Sequence, residues 1–152
     1  MPKEPNTGLE TLTALAAQVR DGRSASIMDL FDMRFELVSF GHVEISMATR
    51  DNMRNPMGTL HGGACATLLD SVVGCAVHST LPTGASYTTL EIKVNYIRSV
   101  ATDGQRLHAV GRTTHVGRQT ATAHGEVRDE NGKLIAHAST TCLIFAAAVS
   151  GP

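Results

Sequence analysis

From residue 55 to residue 90 the chain carries a single ionised side chain, Asp70, just downstream of His61-Gly62-Gly63. Around it stand Ala64, Leu68, Leu69, Val72, Val73 and Val77, whose spacing predicts a helix over residues 61–80. A carboxylate left unsatisfied among such residues costs several kcal/mol, so Asp70 requires a partner or a task. Residues 62–81 are long enough to resemble a membrane span, yet they contain Asp70, His78, two serines and two threonines. An Asp at mid-membrane costs roughly 2.5 to 3.5 kcal/mol on insertion scales, which favours a helix buried in a water-soluble domain.

The remaining pattern supplies strands to cover that helix. Leu90, Ile92, Val94 and Tyr96 alternate with Glu91, Lys93 and Asn95, the cleanest period of two in the chain. Strands are predicted also at 35–40 and 42–49, joined at Gly41, and at 105–115, 118–128 and 133–145. Asn131-Gly132 predicts a type I′ hairpin between the last two. Small residues such as Ala121, Ala123, Gly125, Ala136 and Ala138 let these strands curve closely around an apolar object, and the 61–80 helix is the one long apolar element to be wrapped. Upstream, Leu9, Leu12, Leu15, Ala16 and Val19 predict a first helix ended by Asp21-Gly22. Ser26 to Asp29 reads as a capping box opening a short helical turn, and Asn52, Asn55, Pro56 and Gly58 mark 51–59 as a loop. The sum is one antiparallel sheet around one central helix, an α+β domain.

Composition excludes several classes of function. The 152 residues carry a net charge of -1 with scattered Lys and Arg, which disfavours binding to nucleic acid or anionic lipid. Cys65, Cys75 and Cys142 lie in apolar segments without CxxC spacing, as reduced thiols of a cytoplasmic protein do. The opening MPKEPNTGLE has no apolar core of a signal peptide, in line with that location. Apart from His61, the histidines at 42, 78, 108, 115, 124 and 137 form no HExxH motif, so no metal and no cofactor is expected. There is no G-x-S-x-G elbow and no P-loop.

What is left is a helix start suited to an acyl group. Free backbone N-H groups at the positive end of a helix dipole, with Gly62 and Gly63 allowing close approach, can polarise a carbonyl that becomes negative. A well-placed donor of this kind is worth roughly 2.7 to 4 kcal/mol in acyl transfer. Asp70 can act on the same carbonyl as nucleophile or as base for water. Eight residues of one helix span about 12 Å, however, too far for Gly62 and Asp70 to meet one carbonyl. Two antiparallel copies of the helix across a twofold axis would bring Gly62 of one protomer beside Asp70 of the other, which predicts a dimer with two identical sites.

The run Asn55-Pro56-Met57-Gly58-Thr59-Leu60-His61-Gly62-Gly63, followed by Leu69-Asp70, resembles the signature of hotdog-fold acyl-CoA thioesterases of the phenylacetic-acid-degradation (PaaI-like) type. The likeness continues through residues 90–96 and Val116-Gly117-Arg118 and covers about residues 30–145. It implies a hotdog fold, an antiparallel β-sheet wrapped around a long central α-helix, at 31–146, with an N-terminal helical extension at 1–30 and a tail at 147–152. It implies hydrolysis of acyl-CoA to acid and free CoA by a homodimer, often paired into a dimer of dimers. By position, Asp70 corresponds to the catalytic carboxylate, Gly62 to the backbone donor, and Asn55 and His61 to groups that orient the site. A Ser or Thr on the strand after the helix stands near the attacking water in many members, making Thr89 the candidate here, with Thr88 beside it.

Gly63, Thr88, Gly117 and the cations Arg98 and Arg118 are the candidate substrate-binding residues, the arginines for CoA phosphates. A second branch of the family uses Glu at position 70 and Thr one turn later, where this chain has Gly74. Bland readings stand beside these. Asn55 can simply close an Asx turn, His61 can be a helix cap, and Asp70 can be a structural acid. A non-catalytic acyl-CoA binder or sensor is the alternative function.

Overall fold

The computed structural model describes residues 7–147. Helix α1 (Gly8–Arg20) starts at a capping box in which Thr7 and Glu10 satisfy each other's backbone N-H groups, and it ends at Asp21-Gly22 as the sequence predicts. The capping box at Ser26 and Asp29 likewise opens the one-turn helix α2 (Ile27–Leu30). Strands β1 (Met33–Ser39) and β2 (His42–Ala48) turn at Gly41, whose φ of 70° needs glycine. A 3-10 turn (Asp51–Met53) leads to the long helix α3 (Gly62–His78). Then follow β3 (Ser86–Tyr96), β4 (Arg106–Val116), β5 (Thr120–Arg128) and β6 (Leu134–Phe145). All six strands form one antiparallel sheet in the order β1-β2-β4-β5-β6-β3, which places β1 and β3 at its edges.

Helix α3 lies on the inner face of this sheet. Leu68, Leu69, Val72, Val73 and Val77 are completely buried, each burial worth about 1.5 to 3 kcal/mol. The approach is unusually close because Gly111 on β4 stands opposite Gly125 on β5 under the middle of the helix. A Cβ on Gly111 would come within 2.4 Å of the Val72 carbonyl oxygen, and one on Gly125 within 2.7 Å of the Val73 side chain. The small-residue strands therefore do what their composition suggests.

Three expectations need correction. The last hairpin is not type I′: only Gly132 has positive φ, and its N-H donates to the Asp129 carbonyl at 2.9 Å. This is a type I turn closed by a bulge glycine, and the Asp129 carboxylate stabilises it by accepting from the Asn131 and Lys133 N-H groups. The alternation of β3 does not run unbroken from Leu90 to Tyr96. A bulge skips Leu90, so Tyr87 and Thr89 before it share the inner face with Ile92 and Val94 after it, and Leu90 is left 57 % exposed. Finally, Asp70 is not buried: it and Gly63 are exposed along the outer stripe of α3, where Asp70 is met, among the described residues, only by Thr89 of the edge strand.

Among the described residues no helix is long and apolar enough to cross a membrane, and no group of three or more His, Cys, Asp or Glu could hold a metal. The three cysteines are unpaired. The first six residues, on which the reading of no signal peptide partly rests, and residues 148–152 lie outside the described residues.

Candidate active site

The loop before α3 is built by Asn55. Its Oδ1 accepts from the Met57 and Thr59 N-H groups at 3.0 and 3.1 Å, and its Nδ2 donates to Thr59 Oγ1 at 2.9 Å and to the Leu60 carbonyl at 3.5 Å. With both amide hydrogens engaged, Asn55 organises the loop, as an Asx turn does, and presents no spare donor. The loop is docked by Leu60 N-H on the Val100 carbonyl and by His61 N-H on the Met53 carbonyl, both at 2.8 Å. The entry to the helix is thereby fixed from two sides.

At the helix start, His61 is the N-cap, and its Nδ1 accepts from the Gly63 N-H at 2.8 Å. That bond requires an unprotonated Nδ1 and leaves the ring's proton on Nε2. The Ala64 and Cys65 N-H groups both reach the His61 carbonyl, at 3.0 and 3.4 Å. Among the described residues the Gly62 N-H alone in this first turn has no acceptor. Gly63, proposed from sequence for the substrate, spends its amide on the cap instead. The residue that sequence reasoning missed here is Tyr96, whose hydroxyl donates to the Gly62 carbonyl at 2.9 Å. A Cβ on Gly62 would sit 3.2 Å from the Tyr96 ring, so the tyrosine fits against the glycine.

Two turns along α3, Asp70 is exposed on the protomer rather than buried, and its Oδ1 accepts a hydrogen bond from Thr89 Oγ1 at 3.0 Å. The bulge in β3 selects Thr89, since it gives this residue the inner face; Thr88, next along the strand, faces the other way and is not brought to the acid. The acid thus has one oxygen held by a hydroxyl and stands on an open face. Neither of two concavities, one of about 830 Å3 between α1 and β1 and one of about 390 Å3 beside Arg112, His124 and His137, is lined by Asp70, Thr89 or Gly62.

The remaining candidates are divided between the two ends of the sheet. Thr89 stands opposite Cys142, Cys142 opposite Ala121, and Ala121 opposite Val116, so the β4–β5 turn with Gly117 and Arg118 lies at the Asp70 end. The turn is closed by Gly117 N-H on the Thr120 carbonyl at 2.8 Å. Arg98 follows Tyr96 at the other end, where its guanidinium donates to the Leu134 carbonyl at 3.3 Å. Sequence reasoning also missed Tyr87, which lies on the same face of β3 as Thr89 and covers Gly74 of α3.

The sequence model of the thioesterase superfamily matches residues 57–136, a span that includes Gly62, Asp70 and Thr89. This chain belongs to that superfamily, and its sheet and helix are the hotdog fold. Among curated relatives it is 29% identical to the 1,4-dihydroxy-2-naphthoyl-CoA hydrolase of Escherichia coli, over 90% of this chain and 94% of that one. Among solved structures it is similar to a mutant of thioesterase PA1618 from Pseudomonas aeruginosa, with a TM-score of 0.76 at 28% identity, covering 85% of this chain and 92% of that one. The E. coli PaaI protein shares the fold at a TM-score of 0.77 and 19% identity, over 88% and 94% of the two chains.

Proposed function

We propose that this protein hydrolyses acyl-CoA thioesters to the free acid and CoA, with Asp70 as nucleophile or general base and the Gly62 N-H as the donor to the thioester carbonyl. The observation that carries the reading is the pairing of an open, hydroxyl-held carboxylate with the one unpaired amide at the start of the same helix. As nucleophile, Asp70 would attack the carbonyl carbon, expel the CoA thiolate and form an anhydride that water then opens. As base, it would take a proton from water while the hydroxide attacks, and the thiolate would leave with that proton. In both routes the oxygen becoming negative faces the Gly62 amide, where a helix dipole adds to the hydrogen bond.

Eight residues separate the two groups, about 12 Å of helix, so we place them at one carbonyl by pairing two protomers. The free edge of β3 supports this arrangement, since an unpaired edge of eleven residues is a ready surface for a second copy. In the homodimer each Asp70 would serve its partner's Gly62, and two such dimers would pair into a dimer of dimers. Arg98, at the Gly62 end of the sheet, and Arg118, at the other end, are the candidate contacts for CoA phosphates. Asn55, His61 and Tyr96 act by holding the Gly62 peptide.

The test is release of free thiol across a panel of aromatic and aliphatic acyl-CoA thioesters, together with sedimentation to give the assembly state. Turnover abolished by Asp70→Asn in a protein that still forms dimers is the expected result. Tight binding of acyl-CoA with no thiol released by the unaltered protein would instead establish the binder or sensor.

A further inference from the structure

Tyr87 is a polar side chain near the candidate acid whose hydroxyl finds no partner among the described residues. Its ring is half-buried on the inner face of β3, two residues before Thr89, and packs tilted against His78 with centroids 5.6 Å apart. Its hydroxyl lies over Gly74, one helical turn beyond Asp70, and a Cβ at Gly74 would fall 2.6 Å from it. The missing side chain of Gly74 is thus the space in which the phenol sits. The Tyr87 hydroxyl bonds no described residue and is free to meet a ligand. Burial pushes the phenol well above its ordinary range, with smaller contributions from Cys75, Cys142 and Asp70, so it is a neutral donor at any working pH.

The direction of the site along α3 follows from polarity. From Asp70 towards Gly62 the helix face is half-exposed to exposed, which suits the long polar CoA moiety, the carbonyl itself lying at Asp70 beside the partner's Gly62 in the proposed dimer. Towards His78 the same face is bounded by the Tyr87 ring, which packs on His78 and covers Gly74. An acyl group, the less polar half of the thioester, goes to the second side. We propose that Tyr87 is a specificity-determining residue for the acyl group: its unpaired hydroxyl donates a hydrogen bond to an oxygen that the acyl group carries beyond the thioester carbonyl. The assignment rests on the thioesterase reading of Asp70. Its chemical consequence is selectivity, because once the acyl group covers this donor, a substrate that leaves it unpaired is disfavoured.

The experiment compares kcat/KM for benzoyl-CoA with its 2-, 3- and 4-hydroxy derivatives, and for hexanoyl-CoA with 3-hydroxyhexanoyl-CoA, in the unaltered protein and in Tyr87→Phe. The unaltered protein is expected to prefer at least one hydroxylated member over its plain counterpart by about tenfold or more, and Tyr87→Phe to bring that ratio close to one. Gly74→Ala, which displaces the hydroxyl without removing it, should lower the same ratio. A residue that only supports packing would lower both members of a pair together and leave the ratio intact, and that result overturns the assignment, as does a ratio near one in the unaltered protein. If the unaltered protein releases thiol from no member of the panel, the thioesterase reading fails and takes this assignment with it. Turnover with an unmoved ratio defeats the Tyr87 assignment alone.

Discussion

Thr89 Oγ1 donates to Asp70 Oδ1 at 3.0 Å across the gap between the edge strand and the central helix. The bond holds one carboxylate oxygen and leaves the other to the open face, which is the arrangement a reacting acid needs. It also ties the position of the acid to a strand whose own register is set by a bulge one residue away.

Replacing the acid by its amide keeps the shape and removes the charge. Asp70→Asn is expected to lower kcat for acyl-CoA hydrolysis by about 10² to 10⁴-fold, the range for loss of a catalytic base. Because Asp70 is exposed in the protomer, thermal unfolding of the variant should stay near that of the unaltered protein. Thiol release and a melting curve on the same preparation check both halves, and unchanged turnover would remove Asp70 from the chemistry.

Thr89 should matter through its hydroxyl alone. Thr89→Ala is expected to lose about tenfold in kcat/KM, in keeping with ~1.5 kcal/mol for a hydrogen bond to a charged group, and Thr89→Ser to recover most of it. Thr88→Ala, on the other face of the strand, serves as the comparison, and an equal loss there would argue against the role of Thr89.

The helix cap offers a stability measurement. His61→Ala removes the acceptor of the Gly63 N-H, and a lost N-cap costs about 1 kcal/mol, so Tm should fall by roughly 2 to 4 °C. His61→Asn, a good cap, should restore it. A Tm unaffected by alanine would show that the cap adds nothing to the fold.

The buried thiols give a pH signature. Burial pushes Cys65 up to about 11, and burial with the nearby Asp70 charge pushes Cys75 up to about 12, from 9.0 in each case. The folded state therefore holds protons that the unfolded state releases above pH 9, so the thiols' contribution to stability is constant below that point and declines as pH rises towards 11 and 12. Urea midpoints measured from pH 8 to 11 should follow this trend. A thiol reagent at pH 8 should label neither cysteine until the protein is unfolded.

The helix-start site was legible because it is local. Asn55, His61 and Gly62 lie within eight residues, and caps and Asx turns depend on near neighbours, so their types and spacing disclose their geometry. Asp70 was legible as the sole charge in an apolar segment, although its exposure was not, since a helix pattern shows which face is apolar without showing how far the sheet extends over it. Tyr87 and Tyr96 were not legible. Their contacts with Gly74 and Gly62 join residues 13 and 34 positions apart, and an alternating pattern extended backwards from Ile92 through the Leu90 bulge assigns Tyr87 to the wrong face.

Gly111 and Gly125 meet the helix two and three residues past Asp70, on the side opposite the open face. The height at which the acid stands above the sheet is therefore gauged from behind, by two hydrogen atoms where other residues would carry carbon. Lifting the helix by the width of one methyl group at Gly111 would stretch the reach of Thr89 without touching either partner of that bond. Strands remote from the chemistry thus act as its calibration shim.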